Sequence, residues 1–319
     1  MLRRLKVRTR LVAVIAVPIV LLLAVAVPEG LQRWERAADG DHAAAMTARA
    51  AEVAAAADAL QGERILSAAR RAGADARVTS ALAGQRATTD GAVDRAATAL
   101  ASLAGRAPEL RPLTTRAATL LEGLAQVRAE TDAAASIVPW RDPFQPLIDA
   151  LLTVQEELAS QVADLGIAED LAQVGLIARA KDAAAAQVAQ VAAAATWGEL
   201  RADQDGLLAG LRADELSYRT AYLASTPTAE RVARRAEVQR GAVIKAGRVV
   251  DEVIAAGDLG AIGQLDDWLG LGAERQAVLR DVETARAAEA ADRADVLGET
   301  SRRASTGFAV LAGAGLLLA

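Results

Sequence analysis

No cysteine occurs among the 319 residues, which excludes disulfides, cysteine-bound zinc, iron–sulfur clusters and thiol catalysis. There is one histidine, His42, so paired-histidine metal motifs are excluded too, and the residue reads as surface. Aromatic residues are only 3%. Strands draw on aromatic and β-branched side chains, so a β-sandwich has little to be built from. Proline is absent from Glu29 to Ala107, from Leu147 to Thr226 and after Pro227, which leaves long stretches free for helix. Phosphate-binding glycine loops and the serine-nucleophile elbow are also missing. The adjacent acids Glu156-Glu157 and Asp266-Asp267 point to different helix faces and read as solvated surface. No catalytic residue, metal site or cofactor is expected.

What is abundant is alanine, with leucine, arginine and glutamate, the composition of long helices. The N-terminus carries Arg3, Arg4, Lys6, Arg8 and Arg10 without an acid, followed by an uncharged run from Leu11 to Val27. Such a run is just long enough to cross about 30 Å of hydrocarbon, and the basic flank places the tail in the cytoplasm. A cleaved signal peptide has the same order, but its apolar core is shorter, so an uncleaved anchor is expected. A second uncharged run, Gly307 to Ala319, reads as the start of another span. The expected organisation is a cytoplasmic tail 1–10, a transmembrane helix 11–28, an extracytoplasmic region 29–306, and a truncated span 307–319. Trp34 is a candidate interfacial anchor.

The 36 basic and 41 acidic residues give a net charge of −5. Without the five basic residues of the tail, 31 basic residues face the same 41 acids, a balance of −10. A region so acidic is no nucleic-acid binder, and any anion must be held by a local cluster against the general field.

Between the two runs the proline and glycine punctuation predicts eight helical segments, at about 29–72, 77–105, 109–136, 144–165, 167–197, 200–224, 228–256 and 266 onward. Eight helices suit an all-α fold of two four-helix bundles in series. Trp197, Trp268 and the Trp140/Phe144 pair in the break IVPWRDPFQP are either an aromatic pocket or packing plugs. In the first helix Val53, Ala57, Leu60, Arg64, Ser67 and Arg71 recur at spacings of four and three. That puts Arg64 on the shoulder of the apolar face, where its donors need Glu63, backbone carbonyls or an anionic ligand. A second seam, Leu171, Val174, Ala178, Lys181, Ala185 and Val188, is interrupted by one of only three lysines. Lys181 there snorkels, pairs with Asp182 or a facing helix, or meets a ligand.

The stretches LQGERILSAARRAG (Leu60–Gly73) and LAGQRATTDGAVDRAATAL (Leu82–Leu100) resemble the nitrate- and nitrite-sensing domain family. The resemblance is carried by Leu60, Gln61, Glu63, Arg64, Ser67, Ala68, Gln85, Arg86, Thr89 and Asp90, and the layout extends it over about residues 30–306. It implies an all-α sensor of two four-helix bundles between two spans, similar to those of actinobacterial sensor histidine kinases. Arg64 falls at the arginine of the family's ER pair and Arg86 at that of its QR pair. The family's second-bundle motif is matched at Lys181, Asp182 and Gln187, whereas Val188 and Ala189 stand where Glu and Arg are expected.

The resemblance thus implies a small anion, nitrate or nitrite, as ligand, with Arg64, Arg86, Lys181 and Ser67 as candidate contacts. A planar monoanion suits arginine forks from facing helices. It also implies a homodimer in the cell membrane and a response regulator or other cytoplasmic partner downstream. A chemoreceptor-type output, or a membrane-anchored scaffold binding a protein without a small ligand, is the alternative.

Overall fold

The computed structural model describes residues 7–73, 75–133, 140–195 and 197–318, leaving aside the side chains of 7–37, 202, 304–305 and 307–318. The described residues form ten α-helices and no β-strand. They are α1 Val7–Arg71, α2 Ala76–Arg106, α3 Arg111–Glu122, α4 Leu124–Ala133, α5 Gln145–Glu157, α6 Leu165–Ala194, α7 Ala202–Ser225, α8 Arg231–Val238, α9 Gly241–Ala256 and α10 Leu265–Leu318.

Helix ends follow local chemistry. Asp75 caps α2 by accepting from the backbone N–H groups of Arg77 and Val78, and Asp164 caps α6 by accepting from that of Ile167. Each satisfies a donor that a helix N-terminus leaves open. α9 stops at Gly257, whose φ of +69° is the left-handed conformation that glycine tolerates. Two of the expected segments are each broken in two. The 109–136 segment divides at Gly123, whose N–H turns back to Leu120 and Leu121. The 228–256 segment divides at Arg240, because α8 buries only Val238 and has no apolar face to carry it onward.

The two largest hydrophobic clusters of the described residues lie within the unit Met46–Ala290. One joins α1, α2, α3 and α5; the other joins α7, α9 and α10. α6 belongs to both, giving Ala178, Ala189 and Ala193 to the first and Val188, Val191 and Ala194 to the second. Every residue from Ala180 to Ala194 is buried, so the second half of α6 is covered on all faces. The expected bundles are therefore less separate than two structures in series. Fully buried Leu100, Leu103, Leu110 and Ile148 each contribute roughly 1.5–3 kcal/mol.

A second compact unit comprises Met1–Ala45 and Ala291–Ala319. In it Gly40 and Gly298 are buried against each other, and Arg302 pairs with Asp41. Among the described residues no helix is long and apolar enough to cross a membrane. The spans expected at 11–28 and 307–319, and Trp34, lie outside the residues whose side chains are described.

Candidate functional site

Covering the second half of α6 on every face forces its polar residues to find partners inside the protein. Lys181, Asp182, Gln187 and Gln190 are all buried in that run. Facing them from α1 is the stripe Gln61, Arg64 and Ser67, also buried. Arg64 is fully enclosed. Its Nη1 donates to Asp142 Oδ2 at 3.0 Å and Gln145 Oε1 at 2.9 Å, and its Nη2 donates to the Asp182 carbonyl at 3.0 Å and Asp182 Oδ1 at 2.8 Å. The sequence pointed to Glu63, backbone carbonyls or an anionic ligand as acceptors, and one acceptor, the Asp182 carbonyl, is a backbone group. The other three are side chains of α5, α6 and the segment before α5, while Glu63 turns to Arg128 and Arg86.

Burial opposes the charge on Arg64, but Asp182 and Asp142 more than reverse this and hold its pKa above the ordinary value. For Asp142 burial dominates and raises the carboxyl pKa despite Arg64. One guanidinium thus faces two carboxylates. Three polar atoms along the same stripe have no partner: Gln61 Oε1, Arg64 Nε and Ser67 Oγ.

Arg86 stands apart from Arg64. It donates to both oxygens of Asp132 at 2.9 and 2.7 Å and lies 3.3 Å from Glu63. Arg128 adds a two-pronged contact to Glu63 at 2.7 and 2.8 Å. Together they tie α1 to α2 and α4. Among the described residues Arg64 and Arg86 have no partner in common.

Lys181 pairs across the fold, with Asp58 of α1 at 3.2 Å and with Glu283 of α10. It does not pair with Asp182, which Arg64 occupies. Burial works against its charge, and Glu283 and Asp58 reverse the effect, leaving the pKa raised. The ammonium lies on a cleft of about 480 Å³ whose walls include Ala50, Ala54, Ala59, Gln155 and Arg280. Of the four sequence candidates, Arg64 and Ser67 share one stripe; Arg86 and Lys181 serve two other clusters.

A fourth polar cluster lies beyond the sequence candidates. Glu215 of α7 is fully buried and receives Arg212 Nη1 at 2.8 Å, Arg219 Nη1 at 3.2 Å and Arg275 of α10. Arg275 also donates to Gln187 of α6 at 3.0 Å. Burial would raise the Glu215 carboxyl, but Arg275, Arg212 and Arg219 outweigh it and bring it to about 2. Burial and the neighbouring arginines lower the pKa of Arg275 itself. A signal for this cluster exists in the sequence. Trp268, Leu271, Arg275, Leu279, Val282 and Arg286 recur at helical spacing, the same interrupted apolar seam that exposes Arg64.

Val188 and Ala189, where the family resemblance places Glu and Arg, are fully buried. Val188 packs so tightly that a Cβ on Gly272 would lie 2.8 Å from one of its methyls. Trp140 and Phe144 join the first core and Trp268 the second as packing plugs, whereas Trp197 is half-buried with the Arg201 guanidinium 6.0 Å from its ring. His42 is half-buried, and the adjacent acids Glu156-Glu157 and Asp266-Asp267 are exposed as expected. Among the described residues no group of three or more potential ligands could hold a metal ion.

Residues 55–291 match the family described as nitrate and nitrite sensing, and the chain belongs to that family. Its domain is a sensing domain, not a catalytic one. Among solved structures, the NasR transcription antiterminator is similar with a TM-score of 0.72 and 17% identity, over 90% of this chain and 83% of that one. At that identity the likeness concerns the fold. No curated protein matches.

Proposed function

We propose that the chain is the extracytoplasmic sensing region of a two-component sensor histidine kinase and that its ligand is a small planar anion, nitrate or nitrite. In this reading residues 29–306 lie outside the membrane between spans at 11–28 and 307–319. The protein works as a homodimer, and a response regulator is served by a kinase part beyond residue 319. Family membership supports the sensing role, and the basic tail with its apolar run supports the membrane placement.

Arg64 is the observation that carries the anion reading. Its guanidinium is fully enclosed between α1, α5 and α6, and its Nε and the neighbouring Ser67 Oγ are donors without partners. Buried donors of this kind are normally satisfied, and an anion accepts from both without carrying a proton of its own. Arg86 and Lys181 then act as ties rather than ligands. Lys181 holds α1 and α10 together through Asp58 and Glu283. An anion that binds one arrangement of α1 against α6 better than another shifts that equilibrium, and the Lys181 tie passes the change to α10.

The test is thermal unfolding of the 319-residue chain in detergent with nitrate, nitrite or chloride. A ligand at 100 times its Kd that binds only the folded state stabilises it by about 2.7 kcal/mol. A shift with nitrate or nitrite but not chloride is expected; identical curves in all three salts overturn the anion reading.

A further inference from the structure

Beside the unpartnered Nε, the guanidinium of Arg64 is already occupied by the chain's own acceptors. Both amino groups of Arg64 are committed, Nη1 to Asp142 and Gln145 and Nη2 to Asp182. Two carboxylates against one guanidinium leave the enclosed site with an excess negative charge, which repels an incoming anion. For an anion to take an amino group of the guanidinium as well as Nε, one carboxylate has to leave.

The two carboxylates differ in how firmly they are held. Asp182 sits in the half of α6 whose every face is covered, and its carboxylate also receives Gln61 Nε2 at 3.4 Å and Gln145 Nε2 at 3.1 Å. Asp142 lies outside any helix, in the segment leading into α5, and is 19% exposed. Besides Arg64 it holds, among the described residues, the backbone N–H of Phe144 at 3.0 Å. Burial also disfavours its charged form despite the arginine.

The geometry points to Asp142 as an intramolecular competitor for the ligand: its carboxylate occupies Nη1 of Arg64 in the free protein, and its displacement sets the affinity and selectivity for the anion. This inference rests on the anion reading above. Asp142 is part of the free-state lock, while Arg64, Asp182 and Gln145 remain as the walls of the occupied site. Because Asp142 lies in the segment leading into α5, its release also changes what holds the start of α5 to α1. Binding is thereby coupled to a contact between helices rather than to a side-chain adjustment alone.

The experiment is titration of the 319-residue chain in detergent with sodium nitrate and sodium nitrite, read by calorimetry, for the unaltered chain, Asp142→Asn, Asp142→Ser and Arg64→Gln. Asn keeps the size and the acceptor for Phe144 while removing the charge. Both Asp142 variants are expected to bind nitrate at least about tenfold more tightly, since a nearby like charge has been removed, and Arg64→Gln is expected to lose binding. Equal affinity in the unaltered chain and in a folded Asp142 variant, with far-ultraviolet helicity as the folding control, overturns the competitor and leaves the anion reading intact. Absence of binding in all four proteins overturns the anion reading and the competitor with it. Having two substitutions at position 142 keeps the test decisive if one of them fails to fold.

Discussion

Gly40 of α1 and Gly298 of α10 meet backbone to backbone: a Cβ on Gly40 would lie 2.5 Å from the nitrogen of Gly298 and 2.7 Å from its Cα. The two long helices therefore approach closely there, with Asp41, the residue after Gly40, paired to Arg302. A Cβ on Gly298 would instead meet the side-chain oxygen of Asp41 at 3.2 Å.

This asymmetry predicts unequal costs. Gly40→Ala has to push a backbone aside and is expected to cost about 1–3 kcal/mol by overpacking. Gly298→Ala displaces only a flexible carboxylate and should cost clearly less. Melting temperatures of the two variants decide the point, and equal losses would contradict the close approach.

Arg64 pairs with two carboxylates in a buried site, so Arg64→Met strands them. Breaking a buried pair from one side costs about 3–5 kcal/mol. Adding Asp182→Asn and Asp142→Asn should recover much of that loss, because the stranded charges are then gone. Urea denaturation midpoints of the single and triple variants measure it.

Glu215 has a pKa of about 2 in the folded protein against an ordinary 4.5. A depressed carboxyl contributes stability that is complete above the unfolded value and disappears as pH falls through the folded one. The contribution is on the order of 3 kcal/mol, lost between about pH 4.5 and pH 2. Comparing Glu215→Gln with the unaltered chain should show a stability difference that shrinks across this window. A difference that stays constant would exclude the arginine-held carboxylate.

Gly272 leaves the space that Val188 fills. Gly272→Ala would place a methyl 2.8 and 2.9 Å from the two Val188 methyls and is expected to cost about 1–3 kcal/mol. Val188→Ala in that background should recover part of the loss although it is destabilising alone. A double-mutant cycle by thermal unfolding checks this non-additivity.

Much of the fold was legible because it is local. Alanine-rich runs and prolines act over a few residues, so helix positions can be read directly from the chain. The two broken segments were harder. Gly123 interrupts a helical pattern without ending it, and the stretch around Arg240 fails only because α8 has too little to bury.

The candidate site was legible in part. Helical spacing exposed Arg64, Ser67 and Lys181 as polar interruptions of apolar seams, and the family motif drew attention to Arg86. Arg275 bears the same signal but lies far from any motif.

What the sequence by itself determined is the all-helical character, the sensing family and the polar residues that interrupt its seams. These depend on composition, spacing and motif. Tertiary structure alone decided which charge meets which. Asp142 reaches Arg64 across 78 positions, Asp182 across 118 and Glu283 reaches Lys181 across 102. Such pairings arise when helices close over α6 and remove water, because a buried charge must then take whichever opposite charge the packing brings within reach.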